Sequence, residues 1–460
     1  MIESMDLNKI FRKALKNGGD FAELFEEESV TTQIQREMKR FQRLNYGLDS
    51  GLGLRVLYQG KTAYAFTNDR REAAVLKLAE DLAEAIRCGT FDRDIQFHSQ
   101  SPSWKPLVQI DPSTISLDRK AKKIQEADDI AWQAGKEIQQ VATNYRDQIR
   151  HIRIANSLGE ICEERQVYVV FVVQAVASDG TQMQTGYEPL GGTAGFELLE
   201  DGKAEEVAKI AGERALRSLK APIAPSGMMP VVIASEAGGT MVHEAVGHGL
   251  EADLAREGLS VYQDKLGQRV ANSLITVMDD PTVPGRRGSF QFDDEGTPAK
   301  RNILIDRGIL KNYMYNRAYA MRDGVASTAN GRRENYRYRP IVRMTNTMIA
   351  PGEFDPQGIL KSVEKGLLVT RMGGGQVNTV NGDFVFEVSE GFILRNGAID
   401  YPVRGATLTG NGPQVLMDID MVGNDLGFGL GTCGKESQGV PVADAQPTLR
   451  IPQITVGGQG

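Results

Sequence analysis

Lys220-Ala-Pro-Ile-Ala-Pro-Ser-Gly-Met-Met-Pro230 is the stretch that divides this chain. Proline has no amide hydrogen and clashes with the turn behind it, so Pro222, Pro225 and Pro230 stop the helical pattern that precedes them. Glycine usage also changes across the stretch: residues 1–225 hold 16 of the 50 glycines and residues 226–460 hold 34. The first part is near ordinary usage and the second is about twice as rich. The sequence therefore predicts an N-terminal α+β domain over residues 1–221 and a C-terminal β-rich domain over 226–460.

Upstream of the boundary, apolar spacing predicts four helices. Asp6 is placed to cap the first, whose apolar face is Leu7, Ile10, Phe11, Ala14 and Leu15, with Gly18 as terminator. A second carries Val75, Leu78, Leu82 and Ile86 and closes at Gly89. A third carries Leu117, Ile124, Ile130, Ala131, Ala134 and Ile138, and a fourth runs near 205–219. Residues 21–66 are extended and β-rich. Val167 to Ala177 reads as a buried strand, followed by a hairpin turn at Asp179-Gly180.

Downstream, short strands alternate with glycine. Residues 302–313 form a hairpin turning at Asp306–Gly308. Phe384–Val388, Gly391–Leu394 and Ala398–Val403 are separate strands, the last two joined by Asn396-Gly397. Many short strands with glycine punctuation predict a mainly antiparallel barrel or sandwich, so the fold class is α+β. The one clear helix signal in this part begins near Ser235.

Composition bounds the function. The 53 Lys+Arg against 60 Asp+Glu leave a net charge of −7, without the footprint of a dedicated nucleic-acid binder. Three cysteines, at 88, 162 and 433, cannot form a disulfide framework and suit a reducing compartment. The N-terminus is charged too early for a signal peptide, and no apolar run is long enough to span a bilayer. The expectation is a cytoplasmic protein with no membrane contact.

Half of the four histidines fall in His243-Glu244-Ala-Val-Gly-His248. Imidazoles are good zinc ligands, and a neighbouring carboxylate can accept a proton from activated water. Residues at i and i+5 lie about 140° apart on an ideal helix, so both rings can meet one metal only where the helix widens or ends. A single π-type turn would do this, and Gly247 and Gly249 ease it. Otherwise the two rings are separate polar contacts on a buried helix.

Two histidines leave a catalytic zinc one protein ligand short. Glu251, Asp253, Asp293, Asp294 and Glu295 are possible ligands, as is Cys433 in its glycine-rich segment 427–435; a plain buried thiol is the alternative for Cys433. His98 and His151 have no partner in sequence and read as structural. Gly429 to Lys435 fits the start of a phosphate loop, but Glu436 stands where Ser or Thr must hold magnesium, so nucleotide binding is rejected. Gly51-Leu-Gly likewise lacks the rest of a dinucleotide fingerprint. Residues 331–340 read as a solvated basic loop paired with acids, and Gly373-Gly-Gly375 as a mobile loop.

The run Met241-Val-His-Glu-Ala-Val-Gly-His-Gly-Leu-Glu251 resembles the metal motif of the TldD/PmbA family, in its TldD branch. The resemblance continues through segments 287–298, 331–334, 343–347, 373–377, 421–425, 433–436 and 446–449, which covers most of the glycine-rich half. It implies a zinc-dependent peptidase acting on unfolded or short polypeptides, with roles in peptide maturation and proteolysis. It implies His243, His248 and Cys433 as Zn2+ ligands and Glu244 as general base. It also implies a dimer, either with a PmbA (TldE)-like subunit that lacks the metal motif or with a second copy. The family's older label, modulator of DNA gyrase, does not require direct nucleic-acid contact. Tyr313, Tyr336 and Arg333 are candidate donors to the oxyanion. The competing reading is a non-catalytic peptide-binding or regulatory subunit whose zinc is structural.

Overall fold

The computed structural model describes residues 2–86, 89–90, 94–102 and 104–458; Cys88 lies outside them. The chain opens with α1 (Leu7–Ala14), and Asp6 caps it by accepting from the Lys9 amide at 3.0 Å. Then come β1 (Phe21–Glu37), β2 (Arg40–Tyr58), β3 (Lys61–Thr67), α2 (Glu72–Glu84) and α3 (Leu117–Gln133). They are followed by β4 (Ile138–Asn156), β5 (Glu160–Ser178), β6 (Met183–Gly192) and α4 (Lys203–Lys220). The strands form one sheet in the order β3-β2-β1-β4-β5-β6, with a two-residue strand at His98–Ser99 beside the start of β5. Ile138, expected on the third helix, starts β4 instead, because the helix ends before Gly135.

Strand alternation gives this sheet two working faces. Leu24, Leu52, Leu54 and Val56 pack under α1 and α2, while Val169, Phe171 and Val173 pack under α3 and α4. The opposite face carries Phe25, Ile152, Ile154 and Cys162, which share a core with Phe292 and Tyr336 from the second half. Charged side chains on that face are buried too. Glu23 pairs with Arg55 at 2.6 Å and with Arg333, and Arg55 pairs with Glu295 at 2.7 Å. The sequence placed Arg332 and Arg333 in a solvated loop. Both are instead buried, Arg333 against Glu23 and Arg332 donating to the carbonyls of Met344 and Pro441.

The second half begins with β7 (Gly227–Ile233), so Pro230 lies inside a strand. Next are β8 (Val277–Asp279), β9 (Asn302–Asp306), β10 (Ile309–Leu310) and β11 (Asn346–Ile349). After them come β12 (Lys365–Val377), β13 (Asp383–Arg395), β14 (Ala398–Val403), β15 (Thr407–Asn411), β16 (Gly427–Lys435), β17 (Gln438–Gln446) and β18 (Leu449–Gly457). Strands β12-β7-β18-β15-β13 close on themselves through a β12–β13 pairing, giving a five-stranded barrel. A separate sheet runs β10-β9-β8-β11-β17-β16, with β16 at its edge. The two segments expected at 384–388 and 391–394 are one strand, β13.

Gly373–Gly375 is not a loop but the irregular end of β12, where the register with β13 shifts. The Phe386 ring lies where a Cβ on Gly375 would be, 1.9 Å from its nearest carbon, so only glycine allows the strand this close. Among the described residues, no helix is long and apolar enough to cross a membrane. The helical segment 240–250 packs between the barrel and the second sheet, with Met241, Val242 and Val246 in their shared core.

Candidate metal centre

The segment carrying the histidines is fixed at its start by glycine. Gly239 donates its amide to Asp444 Oδ1 at 2.6 Å, and a Cβ on it would lie 2.3 Å from the Ala445 amide nitrogen of β17. One α-helical turn, Thr240–Val242, leads into a π-helical turn over His243–Gly247 and then a 3-10 turn over His248–Leu250. The His248 amide donates to the His243 carbonyl, five residues back. Widening the turn brings positions i and i+5 onto one side. The two rings stand nearly perpendicular, with centroids 5.1 Å apart.

Cys433 arrives from the edge strand β16, paired opposite Val440 of β17. The fully buried Arg343 donates to the Cys433 carbonyl and, at 3.1 Å, to that of Gln438, and so ties the β16–β17 hairpin beside the histidines. Cys433 Sγ is 3.5 Å from His248 Nε2, and the ligand atoms of His243, His248 and Cys433 all lie within 4.8 Å of one another. Tetrahedral zinc at ordinary bond lengths sets sulfur and imidazole nitrogen about 3.5 Å apart. His243 Nδ1 is buried with no hydrogen-bond partner among the described residues. Donor set, spacing and this unsatisfied nitrogen fit a zinc ion.

The electrostatics favour a deprotonated sulfur. Burial would raise the Cys433 thiol, but hydrogen bonds from His243 and His248 bring it down to about 5. Loss of water would lower both imidazoles, yet the Cys433 sulfur holds them above the ordinary value, as does Glu251 in the case of His248.

Glu244 Oε2 is 4.0 Å from His248 Nε2, and its side chain is about one-third exposed (31%), so it adjoins the cluster while facing solvent. Glu251, considered as a ligand from sequence, instead accepts from His248 Nδ1 at 2.9 Å and from Lys435 Nζ at 3.0 Å. Burial would raise its carboxyl, but Lys435 and His248 hold it at about 2. Asp253 contacts Lys435 at 2.7 Å, one layer further out. Sequence reasoning missed Lys435, although it lies two residues past Cys433 and so on the same face of β16.

The other candidates lie elsewhere. Asp293, Asp294 and Glu295 belong to the junction between the halves, where they accept from the amides of Gly331, Arg333 and Arg317. Tyr313 donates to the Tyr262 carbonyl, Tyr336 to Asp49, and Arg333 to Glu23, so none of the three is directed at the cluster. His98 and His151 are exposed on strands. The rejected phosphate-loop match is strand β16, and Glu436 sits in its hairpin turn, paired with Arg339 at 2.9 Å.

A cleft of about 540 Å³ opens beside the segment, between β6 and α4 on one side and the second half on the other. It is lined by Thr240, one turn before Glu244, by Asp444, and by Gly429 and Leu430 of β16.

Three family models match consecutive parts of the chain. They are PmbA/TldA metallopeptidase domain 1 over 22–86, the central domain over 110–219 and the C-terminal domain over 226–458. A metalloprotease of Methanothermobacter thermautotrophicus is 35% identical over 443 residues, covering 95% of this chain and 96% of its own. A metalloprotease TldD homologue of Haemophilus influenzae is 34% identical over 449 residues, covering 95% and 93%. The fold is shared with TldE from Thermococcus kodakarensis (TM-score 0.76, 16% identity, 96% and 97% coverage). It is also shared with a Thermotoga maritima protein labelled a modulator of DNA gyrase (TM-score 0.79, 22% identity, 95% and 96% coverage).

Proposed function

This chain belongs to the PmbA/TldD family of metallopeptidases, and we propose that it is a zinc-dependent peptidase hydrolysing peptide bonds in unfolded or short polypeptides. The observation that carries the reading is the meeting of His243, His248 and Cys433 within 4.8 Å around a π-turn, with Glu244 directly after the first ligand. His243, His248 and Cys433 are the proposed ligands. Bound there, zinc would lower the pKa of a water molecule and polarise the scissile carbonyl.

The remaining work falls to the chain itself. Glu244, part-exposed and 4.0 Å from a ligand nitrogen, takes the proton of the attacking water and returns it to the leaving amine. Glu251 keeps the proton of His248 on Nδ1, which leaves Nε2 directed towards Cys433. The edge strand β16 borders the cleft and carries Cys433, so an extended peptide can add beside it through main-chain hydrogen bonds. Recognition of that kind reads backbone and selects unfolded chains. The working particle is proposed as a dimer with a TldE-like subunit or a second copy, supported by the shared fold.

Metal analysis of the purified protein and of Cys433→Ala, with peptide cleavage in the presence and absence of a chelator, tests the reading. Zinc near one per chain, lost in Cys433→Ala, is expected. Glu244→Gln should keep the metal and lower kcat by roughly 10²–10⁴-fold. Undiminished hydrolysis in that variant would remove Glu244 as the general base, whereas bound zinc with no cleavage of any peptide by the wild type would favour a non-catalytic subunit with structural zinc.

A further inference from the structure

A second cavity, of about 380 Å³, lies on the far side of β16 from Cys433, between that strand and the N-terminal sheet. Three arginines line it: Arg146 and Arg150 from β4, and Arg287 from the segment before β9. Arg150 is neutralised by Glu27 at 2.8 Å. Arg146 and Arg287 have no carboxylate within salt-bridge distance among the described residues.

Arg287 donates only to neutral oxygens, the Gly431 carbonyl at 3.0 Å and Thr432 Oγ1 at 3.2 Å, and its Nη1 has no partner among the described residues. Loss of water lowers its pKa to about 10, and the like charges of Arg146 and Arg332 push the same way. The acids around the cavity are already engaged. Glu27 accepts from Arg150 and the Tyr336 amide, Asp49 from Arg337, and Glu334 from the Gly439 amide. Two cations without a carboxylate partner therefore face a space in which, among the described residues, the exposed Glu334 is the one lining acid that has no cationic partner. Arg287 is half-buried and Arg146 exposed, and a planar carboxylate matches the fork of donors that each guanidinium presents.

The location ties this cavity to the peptide cleft. Gly429 and Leu430 of β16 line the cleft, and Thr432 lines the cavity. The spacing from Leu430 to Thr432 is about 7 Å along a strand, and side chains at 432 and 433 point to opposite faces. A chain extended along this edge near the metal ligands would reach both spaces.

We propose that this cavity is a carboxylate subsite for the peptide substrate, in which Arg287 and Arg146 hold a C-terminal carboxylate or an acidic side chain. The proposal rests on the peptidase reading for its ligand, and its test separates the two. Three fluorescein-labelled, unstructured peptides of one sequence are titrated into zinc-loaded Glu244→Gln protein by anisotropy. One has a free C-terminus, one a C-terminal amide, and one an amide with an internal Gln→Glu change.

At least one carboxylate peptide should bind about tenfold more tightly than the neutral amide, an advantage expected of a charge-assisted contact. Which peptide gains identifies the source of the carboxylate. The advantage should vanish when Arg287→Gln is added and shrink with Arg146→Gln, an exposed site that serves if the first variant does not fold. Equal binding of all three peptides, or equal weakening of all three by the arginine changes, overturns the proposal. With wild-type protein the same preference should appear in KM while kcat holds. Cleavage with no carboxylate preference would remove the subsite and keep the peptidase. Preference in binding with no cleavage of any peptide would do the reverse.

Discussion

Nδ1 of His248 donates to Glu251 across 2.9 Å, and Glu251 is fully buried. Its second partner, Lys435, stands on the same strand face as Cys433, so one carboxylate links two of the three proposed ligands. The ring orientation that aims Nε2 at the sulfur is thereby set by a charge that has no water to fall back on.

Replacing Glu251 by Gln should weaken zinc binding by roughly 10–100-fold, the usual cost of losing a partner behind a ligand. Competition against a chromophoric chelator measures this directly, with circular dichroism confirming the fold. Wild-type affinity in the variant would mean that the contact does not orient the ligand.

The Cys433 thiol supplies a pH signature. Its pKa lies at about 5 in the metal-free site, so the thiolate should persist as pH falls from 9 towards 5. An ordinary thiol near pKa ~8.5 loses thiolate about tenfold per pH unit below that value. Iodoacetamide labelling at Cys433, followed by peptide mass mapping, should therefore stay nearly flat down to pH 6 in metal-free protein and fall through pH 5. The same depressed pKa stabilises the metal-free fold above the thiol's ordinary pKa, and that contribution is lost as pH falls towards 5. Added zinc should block labelling. Cys162, whose thiol burial pushes far upward, should remain unlabelled throughout.

Arg333 joins the two halves of the molecule. It is buried, pairs with Glu23 and donates to the Asp294 carbonyl. Removing it by Arg333→Ala leaves Glu23 with Arg55 alone and should destabilise the protein by about 3–5 kcal/mol. Urea unfolding followed by both fluorescence and circular dichroism would show it. A midpoint unchanged from the wild type would mean that Arg55 suffices.

Local chemistry was legible in the sequence, and distant pairing was not. The five-residue spacing of His243 and His248 required a widened turn if the rings were to converge, and the chain has a π-turn at that place. The Asp6 cap and the hairpin turns followed from period and punctuation. The glycine-rich half, expected as a barrel or sandwich, holds a five-stranded barrel beside a second sheet, while the second helix ends at Glu84 rather than at Gly89. Arg333 was misread as solvated because its partner, Glu23, lies 310 residues earlier. Gly373–Gly375 was misread because three glycines look flexible, whereas the ring that excludes a side chain there comes from Phe386 on the neighbouring strand. Lys435 was overlooked because its meaning depends on Glu251 and Asp253, which reach it from the far end of the histidine segment.

Gly239 tests how strictly the backbone positions the proposed metal ligands. It precedes the turn that leads to His243, and the His243 amide donates to its carbonyl at 2.9 Å. A methyl group there would lie 2.3 Å from the Ala445 nitrogen and 2.8 Å from the Asp444 carbonyl carbon, both main-chain atoms of β17. No rotamer change relieves a clash with backbone, so the segment must move away from the sheet. Gly239→Ala should cost about 1–3 kcal/mol, as overpacking usually does. Because the displaced segment carries His243 and His248 while Cys433 stays on β16, zinc affinity should fall as well. Gly247→Ala gives the contrast, since its methyl would meet the Met344 sulfur, on a flexible side chain that can swing aside. Thermal unfolding and zinc competition on both variants should rank Gly239→Ala as the more damaging in each assay. The opposite ranking would place the constraint on the ligands in the π-turn itself rather than in its seat against β17.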